Sequence, residues 1–282
     1  MRLYTNVAGL IAYESYSNNS KLLSESLRRL STGLRINSAS DDPSGLAIAD
    51  KLRTQASSVQ QSIENANSAI AMTQIADKAM AEQSNIIDIV KTKLMQASTD
   101  TTTDAGREAI RKDISKLLGQ LDNIASQTNY NGNYLLQNNH SNTDISSDKV
   151  FQIGEKAANT IELKGVQSNT IGLGLDTLKN LGANSLDITV ARDWLDDIDN
   201  SLTTLNTFRS EFGSTQNQLE SSVRYMITLK TNLKASESVI RDVDYAKEAA
   251  EFSRLNILVQ AGMFAMAQAN KMQENILRYL FR

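Results

Sequence analysis

The chain contains no cysteine, one proline and only 13 glycines among its 282 residues. The absence of cysteine excludes disulfides, thiolate metal sites and cysteine nucleophiles. Because proline and glycine punctuate secondary structure, their scarcity favours long uninterrupted helices. Aromatic residues make up only 5% of the chain although hydrophobic residues make up 40%, and helices packed through Leu, Ile, Met and Ala need few rings. Composition therefore predicts an elongated, mainly α protein.

Strong charge and long apolar runs are also missing. The formal net charge of −3 provides no electrostatic footprint for nucleic acid. No apolar run approaches the length of a membrane span, and residues 1–6 lack the apolar segment of a cleaved secretory signal. We therefore expect no nucleic-acid partner, no membrane insertion and no cleaved leader.

The most regular pattern is a pair of stripes near the two ends of the chain. The C-terminal stripe alternates intervals of 3 and 4 through Phe252, Leu255, Val259, Gly262, Met266, Ala269, Gln273, Ile276 and Leu280. The N-terminal stripe has intervals of 4, 3 and 4 and comprises Leu23, Leu27, Leu30 and Leu34. These are coiled-coil intervals, and termini, which usually fray, seldom hold the best such pattern of a globular enzyme. We predict a self-assembly seam, although an intramolecular hairpin core explains the stripes equally well from the residues alone.

Helix and strand signals divide the rest of the chain. Helices are expected over 1–34, 44–97, about 107–124, 188–240 and after 242, with Asp42 as N-cap and Pro43 in the first helical position. Two segments that alternate with period 2, 150–153 and 160–163, predict a β-hairpin. The expected fold is an antiparallel helical bundle or coiled coil with this hairpin, at about 148–165, in the middle of the chain. The expected domains are 1–42, 43–241 and 242–282.

No arrangement of side chains indicates catalysis. Asp41, Asp42 and Asp244 are read as helix caps and connector residues rather than metal ligands, and His140, the one histidine, lies in a polar loop. No nucleophile–base pair, phosphate-binding glycine loop or cluster with metal-ligand spacing is visible. We expect neither an enzyme nor a bound cofactor or metal.

Residues 26–49 resemble the N-terminal signature of bacterial flagellins. The connector within that signature contains Gly33, Arg35, Asn37, Asp41, Asp42 and Gly45. Segments 127–132, 240–246, 260–262, 267–270 and 275–277 resemble further flagellin motifs. The chain is similar to a short flagellin without large variable outer domains, and segments 88–93 and 121–125 incline towards the Campylobacter/Helicobacter-type branch.

The resemblance implies a structural subunit that self-assembles into the flagellar filament for swimming motility. Its two terminal segments would pair as the coiled coil of an inner tube, surrounded by a shell formed by 43–241. Export by the flagellar type III system would place it in the extracellular flagellum. Implied partners are further copies of the chain, an export chaperone, and the filament cap and hook–filament junction proteins. The alternative is a junction protein or another secreted helical component of the same apparatus.

Two surface properties also follow from the resemblance. Flagellins similar to this branch are often O-glycosylated in their central segment, where the candidate hydroxyls are Ser141, Thr143, Ser146, Ser147, Thr160, Ser168, Thr170 and Thr177. Many flagellins carry a stretch like Q-R-V-R-E-L-A-V-Q that a vertebrate Toll-like receptor binds. The corresponding residues 88–96 are degenerate at Ile89, Thr92 and Lys93, which predicts only weak contact with that receptor.

Overall fold

The computed structural model describes residues 5–140 and 143–280, the last five by their backbone alone. Within them the fold is mainly α, as predicted from the sequence. The helices are α1 (Val7–Thr32), α2 (Pro43–Ala97), α3 (Asp104–Gln127), α4 (Asp176–Lys179), α5 (Ile188–Arg241) and α6 (Tyr245–Leu280). The strands are β1 (Asn129–Tyr130), β2 (Asn133–Tyr134), β3 (Lys149–Gln152) and β4 (Thr160–Leu163). None of the helices so described combines the length and hydropathy needed to span a bilayer.

The chain divides into two compact units. The terminal unit comprises residues 1–56 and 231–282, and the central unit comprises residues 57–230. Each unit therefore takes part of α2 and part of α5. The terminal unit contains all of α1 and α6, whereas the central unit contains α3, α4 and the four strands.

Acidic side chains define the starts of two helices. The Asp42 carboxylate accepts a hydrogen bond from the Gly45 N–H at 2.9 Å, and Pro43 occupies the first position of α2. The Asp244 carboxylate accepts from the Ala246 N–H at 3.0 Å at the start of α6. Both caps satisfy N–H groups that have no partner within the helix. The caps expected from the sequence are therefore present.

The central unit has one apolar core to which α2, α3, α5 and the segment after β4 all contribute. Its largest fully buried side chains include Met80, Ile87, Leu94, Ile114, Leu118, Leu121, Leu136, Leu175, Leu178, Ile198 and Leu205. Trp194 packs against this core, half-buried. Burial of each such side chain stabilises the fold by about 1.5–3 kcal/mol. This core gives the central unit its own source of stability.

Two antiparallel hairpins lie in the central unit. β3 and β4 form the predicted hairpin, with Phe151 opposite Ile161. The sequence predicts only a turn at 128–133, whereas the structure adds the β1–β2 pair on either side of it. Asn131 and Gly132 have φ of 51° and 81°, the left-handed values of a type I′ hairpin turn. Strands of two residues are too short to show alternation, so the pattern could not reveal them.

Candidate assembly interface

α1 and α6 pair antiparallel in the terminal unit. The Asn6 side chain at the start of α1 contacts Ala269 near the end of α6. Further along, Tyr16 lies against Gly262, where a Cβ added to the glycine would be 3.4 Å from the tyrosine Cβ. Arg29 lies 3.8 Å from Glu248 at the other end of the pair. The small Gly262 thus allows the two backbones to approach closely.

The C-terminal stripe lies on the α6 face that contacts α1. From Phe252 to Gln273, every member of the stripe is buried or half-buried, whereas nearly all of the residues between them are exposed. Leu255 is only 2% exposed. The side chains of Ile276 and Leu280 lie outside the described residues. The stripe spacing read from the sequence therefore coincides with a real packed face over seven of its nine positions.

The N-terminal stripe divides between two faces of α1. Leu23 and Leu30 are half-buried on the side towards α6, but Leu27 is 55% exposed and Leu34 lies beyond the helix. The packed face of α1 instead contains Gly9, Ala12, Tyr16, Asn19, Leu23, Ser26 and Leu30. This face keeps intervals of 3 and 4 but uses small and polar residues, which a search for leucines misses.

Large apolar side chains remain exposed on the outer faces of both terminal helices. On α1 they are Val7, Leu10, Ile11, Tyr13, Leu22 and Leu27, and on α6 they are Tyr245, Ile257, Met263, Phe264 and Met272. Phe264 is 77% exposed. Apolar surface of this extent on a soluble protein marks an interaction site rather than ordinary surface. Pairing of α1 with α6 covers only one face of each helix.

The connectors next to these helices form a short antiparallel clasp. The Arg35 N–H donates to the Arg241 carbonyl at 2.7 Å, and the Val243 N–H donates to the Gly33 carbonyl at 3.0 Å. Gly33 ends α1 with a φ of 72°, and a Cβ there would lie 2.9 Å from the Tyr245 hydroxyl. The left-handed conformation therefore favours glycine here, and any side chain would require the Tyr245 hydroxyl to shift. The clasp fixes where α1 and α6 begin to pair.

Asp41 organises the rest of the signature connector. Its carboxylate accepts hydrogen bonds from the Asn37 and Ser38 N–H groups at 3.0 and 2.9 Å and from Arg28 at 2.6 Å. The Asn37 N–H, followed by Ser38 and Arg28, holds the pKa of Asp41 at about 2, below its usual 3.8. The conformation of this connector thus depends on an ionised carboxylate.

Gly45 also has a packing role in the connector. A Cβ at this position would lie 2.3 Å from an Asp42 carboxylate oxygen and 2.8 Å from the Ile36 side chain. The Asn37 side chain donates to the Leu34 carbonyl at 3.0 Å. The signature connector is therefore a set of caps and close contacts.

We expect Asp41→Asn to lower the melting temperature at pH 7. The native pKa of Asp41 lies below its unfolded value, so its stabilisation is present above about pH 4 and disappears as the pH falls through 2. The difference from wild type should therefore shrink between pH 4 and pH 2 in thermal melts followed by circular dichroism. The exposed Asp100→Asn, with the same charge change, is the control. A difference that stays constant with pH would contradict this role.

The candidate glycosylation hydroxyls fall into two groups. Thr143, Ser147 and Thr177 are exposed and Thr160 is half-buried, whereas Ser141 lies outside the described residues. Ser146, Ser168 and Thr170 are buried in the folded chain and are therefore much less accessible to a modifying enzyme than the others. Each of them lies in a segment outside the helices and strands, with its side chain buried.

Hydrogen bonds hold two of these buried residues in place. The Ser146 hydroxyl accepts from the Val166 N–H at 2.9 Å, and the Thr170 hydroxyl donates to Asp122 at 2.9 Å. The third, Ser168, is contacted by Gln83, whose side-chain amide donates to the Ser168 backbone carbonyl at 2.9 Å. The polar composition of this segment therefore reflects internal hydrogen bonds as well as contact with solvent.

The stretch that corresponds to the receptor-binding motif lies on α2. Ile89 is 46% exposed, so it is part of the surface rather than an extension of the core. The exposed Thr92 donates its hydroxyl proton to the Asp88 carbonyl, and Lys93 pairs with Asp113 at 3.0 Å.

Among the residues that the structure describes, no group of three His, Cys, Asp or Glu side chains could hold a metal ion.

Known protein families match both ends of the chain. The N-terminal helical region of bacterial flagellin matches residues 3–141, and the C-terminal helical region of bacterial flagellin matches residues 195–280. The flagellin of Bacillus subtilis strain 168 is 32% identical, with 99% of this chain and 100% of that protein covered. The chain belongs to the flagellin family.

Further relatives and solved structures are similar to this chain in sequence or in fold. Flagellin B of Helicobacter pylori is 45% identical over 66% of this chain and 35% of its own length. The crystal structure of Bacillus cereus flagellin is 25% identical, with a TM-score of 0.50, and covers 58% of this chain and 88% of that one. A Vibrio parahaemolyticus chain assigned as a flagellar hook-associated protein is similar in fold, with 13% identity and a TM-score of 0.58.

Proposed function

We propose that this chain is a structural subunit that polymerises into the bacterial flagellar filament and serves swimming motility. Its family membership and its full-length similarity to flagellins support this function. The exposed apolar surface on both α1 and α6 is the main support for assembly through the terminal helices. A helix pair with two uncovered apolar faces gains stability when neighbouring copies cover them.

The two faces permit contact between different helices of neighbouring copies. The exposed large apolar residues of α1 are mainly aliphatic but include Tyr13, and those of α6 include Tyr245, Phe264 and two methionines. A contact of the α1 face of one copy with the α6 face of the next, without the reciprocal contact, is heterologous. Heterologous contacts that do not close into a ring produce helical filaments.

The proposal also covers the position of each part of the chain in the filament, its export and its partners. Residues 1–42 and 242–282 would form the inner tube, and residues 43–241 would form the surrounding helical shell. Export by the flagellar type III system would bring the chain to the extracellular filament, with an export chaperone and the cap and junction proteins as partners. The identity to Helicobacter pylori flagellin B supports placement towards that branch. The role is structural, without catalysis or cofactor.

Seeded elongation tests the proposed function. Purified full-length chain is added to short fragments of its own filaments, and filament lengths are measured by electron microscopy. We expect growth to many times the seed length, without growth in unseeded samples over the same period. A junction protein would add only a limited layer at the seed ends. Such a limited layer, or no addition at all, would contradict a filament subunit.

We expect native protein to carry O-linked sugar on exposed hydroxyls of the central segment. Thr143, Ser147 and Thr177 are the accessible candidates with described surroundings. Intact mass spectrometry should give a mass above the 31.0 kDa of the bare chain. Replacing these three residues by alanine should lower the added mass, whereas the control Ser168→Ala, at a buried site, should not. A native mass of 31.0 kDa would refute the modification.

We expect the monomer to be a weak agonist of the Toll-like receptor for flagellin. Ile89 and Thr92 stand where the recognised pattern has Arg and Glu, and an interfacial Arg can contribute about 2 kcal/mol or more to binding. Its absence should raise the half-maximal concentration about 30-fold in a reporter-cell titration. Ile89→Arg with Thr92→Glu should restore potency, and Ile75→Arg should not. A half-maximal concentration typical of strong agonist flagellins would contradict this expectation.

A further inference from the structure

The outer side of α3 is uncovered along the helix. The residues on this side recur at intervals of 3 and 4 and form the α3 face, which comprises Ala105, Ala109, Lys112, Lys116, Gln120 and Asn123. All six are exposed, whereas Ile114 and Leu118 on the opposite side are buried in the core of the central unit. The α3 face carries two positive charges and no negative charge. It is therefore a regular, positively charged helix surface.

The outer side of α5 has the same kind of spacing in the first part of that helix. Intervals of 3 and 4 define the α5 face, which comprises Thr189, Asp193, Asp196, Asn200, Thr203 and Thr207. All six are exposed, and Ile198 and Leu205 on the opposite side are buried. The α5 face carries two negative charges and no positive charge. The two faces are thus alike in spacing and opposite in charge.

The single chain does not compensate the charges of the α5 face. Carboxylates stabilise the start of a helix only within its first turn, and Asp193 is the sixth residue of α5. Asp193 and Asp196 stand three residues apart on one helix, where like charges repel. Neither forms an ion pair in the part of the chain that the structure describes. Their charge is therefore available to a cation from outside the chain.

The lysines of the α3 face are similarly available. Lys116 has no ion pair with any of the described residues. The Lys112 ammonium lies 3.7 Å from Glu108, and the Lys112 side chain is 64% exposed. Glu108 has a shorter pair with Arg111, at 2.8 Å. Both lysines can therefore accept a carboxylate from another molecule.

Ion pairs with α2 show that α3 and α5 flank it at one level. Lys91 of α2 pairs with Asp199 of α5, and Lys93 of α2 pairs with Asp113 of α3. Residues two apart on a helix point in different directions, so the two partner helices lie on different sides of α2. Further contacts along the helices show that α3 and α5 both run opposite to α2. The α3 and α5 faces are therefore parallel and on different flanks of the central unit.

The heights of the charged side chains follow from these pairs. Asp196 lies three residues before Asp199 in α5. Lys112 lies one residue before Asp113, whose partner on α2 is two residues beyond Lys91. At a rise of about 1.5 Å per residue, Asp196 and Lys112 both lie about 4.5 Å beyond the Lys91–Asp199 pair. Copies that stand side by side in one orientation thus bring Asp196 and Lys112 to the same height.

We propose that the α5 face of one copy docks on the α3 face of a neighbouring copy, with Asp196 opposite Lys112. This inference rests on the proposed function, because the partner is a second copy within the filament. A second copy presents the complementary charge at a matching spacing and height. Opposite charges select the partner and its orientation. The contact is heterologous, so it can continue from copy to copy.

Charge reversal of either face tests this contact in the full-length chain. The double variant Asp193→Lys, Asp196→Lys and the double variant Lys112→Glu, Lys116→Glu each replace attraction between copies by repulsion. We expect each to raise the critical concentration for seeded elongation by about tenfold or more, as measured by sedimentation. The cooperative melt of each monomer should remain, because all four side chains are exposed. A critical concentration within about threefold of wild type for either variant would overturn the proposal.

Combining the two reversals in one chain should restore assembly. The quadruple variant again brings opposite charges together, with the signs exchanged between the faces. Its critical concentration should return to within about threefold of wild type. Such a rescue cannot come from misfolding of the separate variants.

A matched control separates the contact from net charge. It combines Lys112→Glu and Lys116→Glu with Glu155→Lys and Glu162→Lys, which are exposed positions of the β3–β4 hairpin. This chain has the net charge of wild type but should assemble as poorly as Lys112→Glu, Lys116→Glu alone. Equal rescue by both combinations, or rescue by neither, would overturn the proposal.

Carbodiimide cross-linking locates the contact in wild-type filaments. The reagent joins a lysine amine to a nearby carboxylate as an amide and takes up the released oxygen. Filaments grown from a mixture of nitrogen-15-labelled and unlabelled chains should give peptides that join residues 112–116 of one isotope to residues 193–196 of the other. Monomer treated in the same way should give no such mixed pair. Filaments that lack the mixed pair would overturn the contact.

Wild-type elongation separates this inference from the proposed function. If wild-type chain elongates its seeds and the double variants do so equally well, only the docking of the two faces is overturned. Impairment by reversal of the α5 face alone, without an effect of reversal of the α3 face, would indicate a partner other than a second copy and would also overturn the docking. Wild-type chain that fails to elongate its seeds would overturn both proposals.

Discussion

Removal of residues 1–34 or of residues 250–282 is expected to leave a soluble, partly helical monomer that cannot polymerise. The central unit has its own apolar core, so it should keep its fold after either deletion. Each deletion removes one helix of the α1–α6 pair together with its exposed apolar face. Sedimentation and electron microscopy after seeding should find no elongation for either truncated chain.

Folding of the truncated chains is the necessary control for this experiment. Circular dichroism should retain the cooperative melt of the central unit in both of them. The full-length chain should gain helix signal when it polymerises, because the terminal helices then become covered. Filaments of normal morphology from a truncated chain would show that the corresponding helix is not required for assembly.

Replacement of Gly262 by leucine should block or reshape the filament. The leucine side chain would extend beyond a Cβ that already lies 3.4 Å from Tyr16 Cβ. Overpacking of this kind costs about 1–3 kcal/mol per subunit, and the gain in helix propensity offsets about 1 kcal/mol. A net cost of up to about 2 kcal/mol would raise the critical concentration by up to about 30-fold.

Gly262→Ala is the matched control for this substitution. A single Cβ fits at the observed distance with little movement, and alanine improves helix propensity. We therefore expect a critical concentration at or slightly below that of wild type. If Gly262→Leu leaves both the filament form and the melting temperature unchanged, Gly262 does not face α1 in the assembled state.

The long helices could be predicted, and some of their starts with them, because local chemistry specifies them. Asp42 and Pro43 define the start of α2 through a cap and a fixed backbone angle, and both effects act within three residues. The packed face of α6 could be predicted because its regular spacing contains enough large apolar residues, such as Phe252 and Leu255, to be visible. Periodicity and capping are thus sufficient for this part of the fold.

The face of α1 could not be predicted in the same way. Its contact positions include Gly9, Asn19 and Ser26, whereas Leu27, the most obvious hydrophobic candidate, is exposed. A chain that buries surface twice, first within itself and then against neighbours, distributes its leucines over both faces. Periodicity alone cannot separate these two kinds of burial.

The buried hydroxyls of the central segment show a second limit. Ser168 and Thr170 lie in a polar, glycine-containing stretch that resembles an exposed loop. They are buried because Gln83 and Asp122, more than 40 residues away in sequence, supply hydrogen bonds to the loop backbone. Partners so distant in sequence leave no local pattern, so only the folded chain reveals them.

Hydrogen exchange compared between monomer and filament tests the central claim most directly. If neighbouring copies cover the outer faces of α1 and α6, amides of residues 7–32 and 245–280 should show the largest gain in protection on polymerisation. Amides at the core of the central unit, for example in α3, should change little because that core is already packed in the monomer. Protection gained only in residues 57–230, with none in α1 or α6, would contradict assembly through the terminal helices.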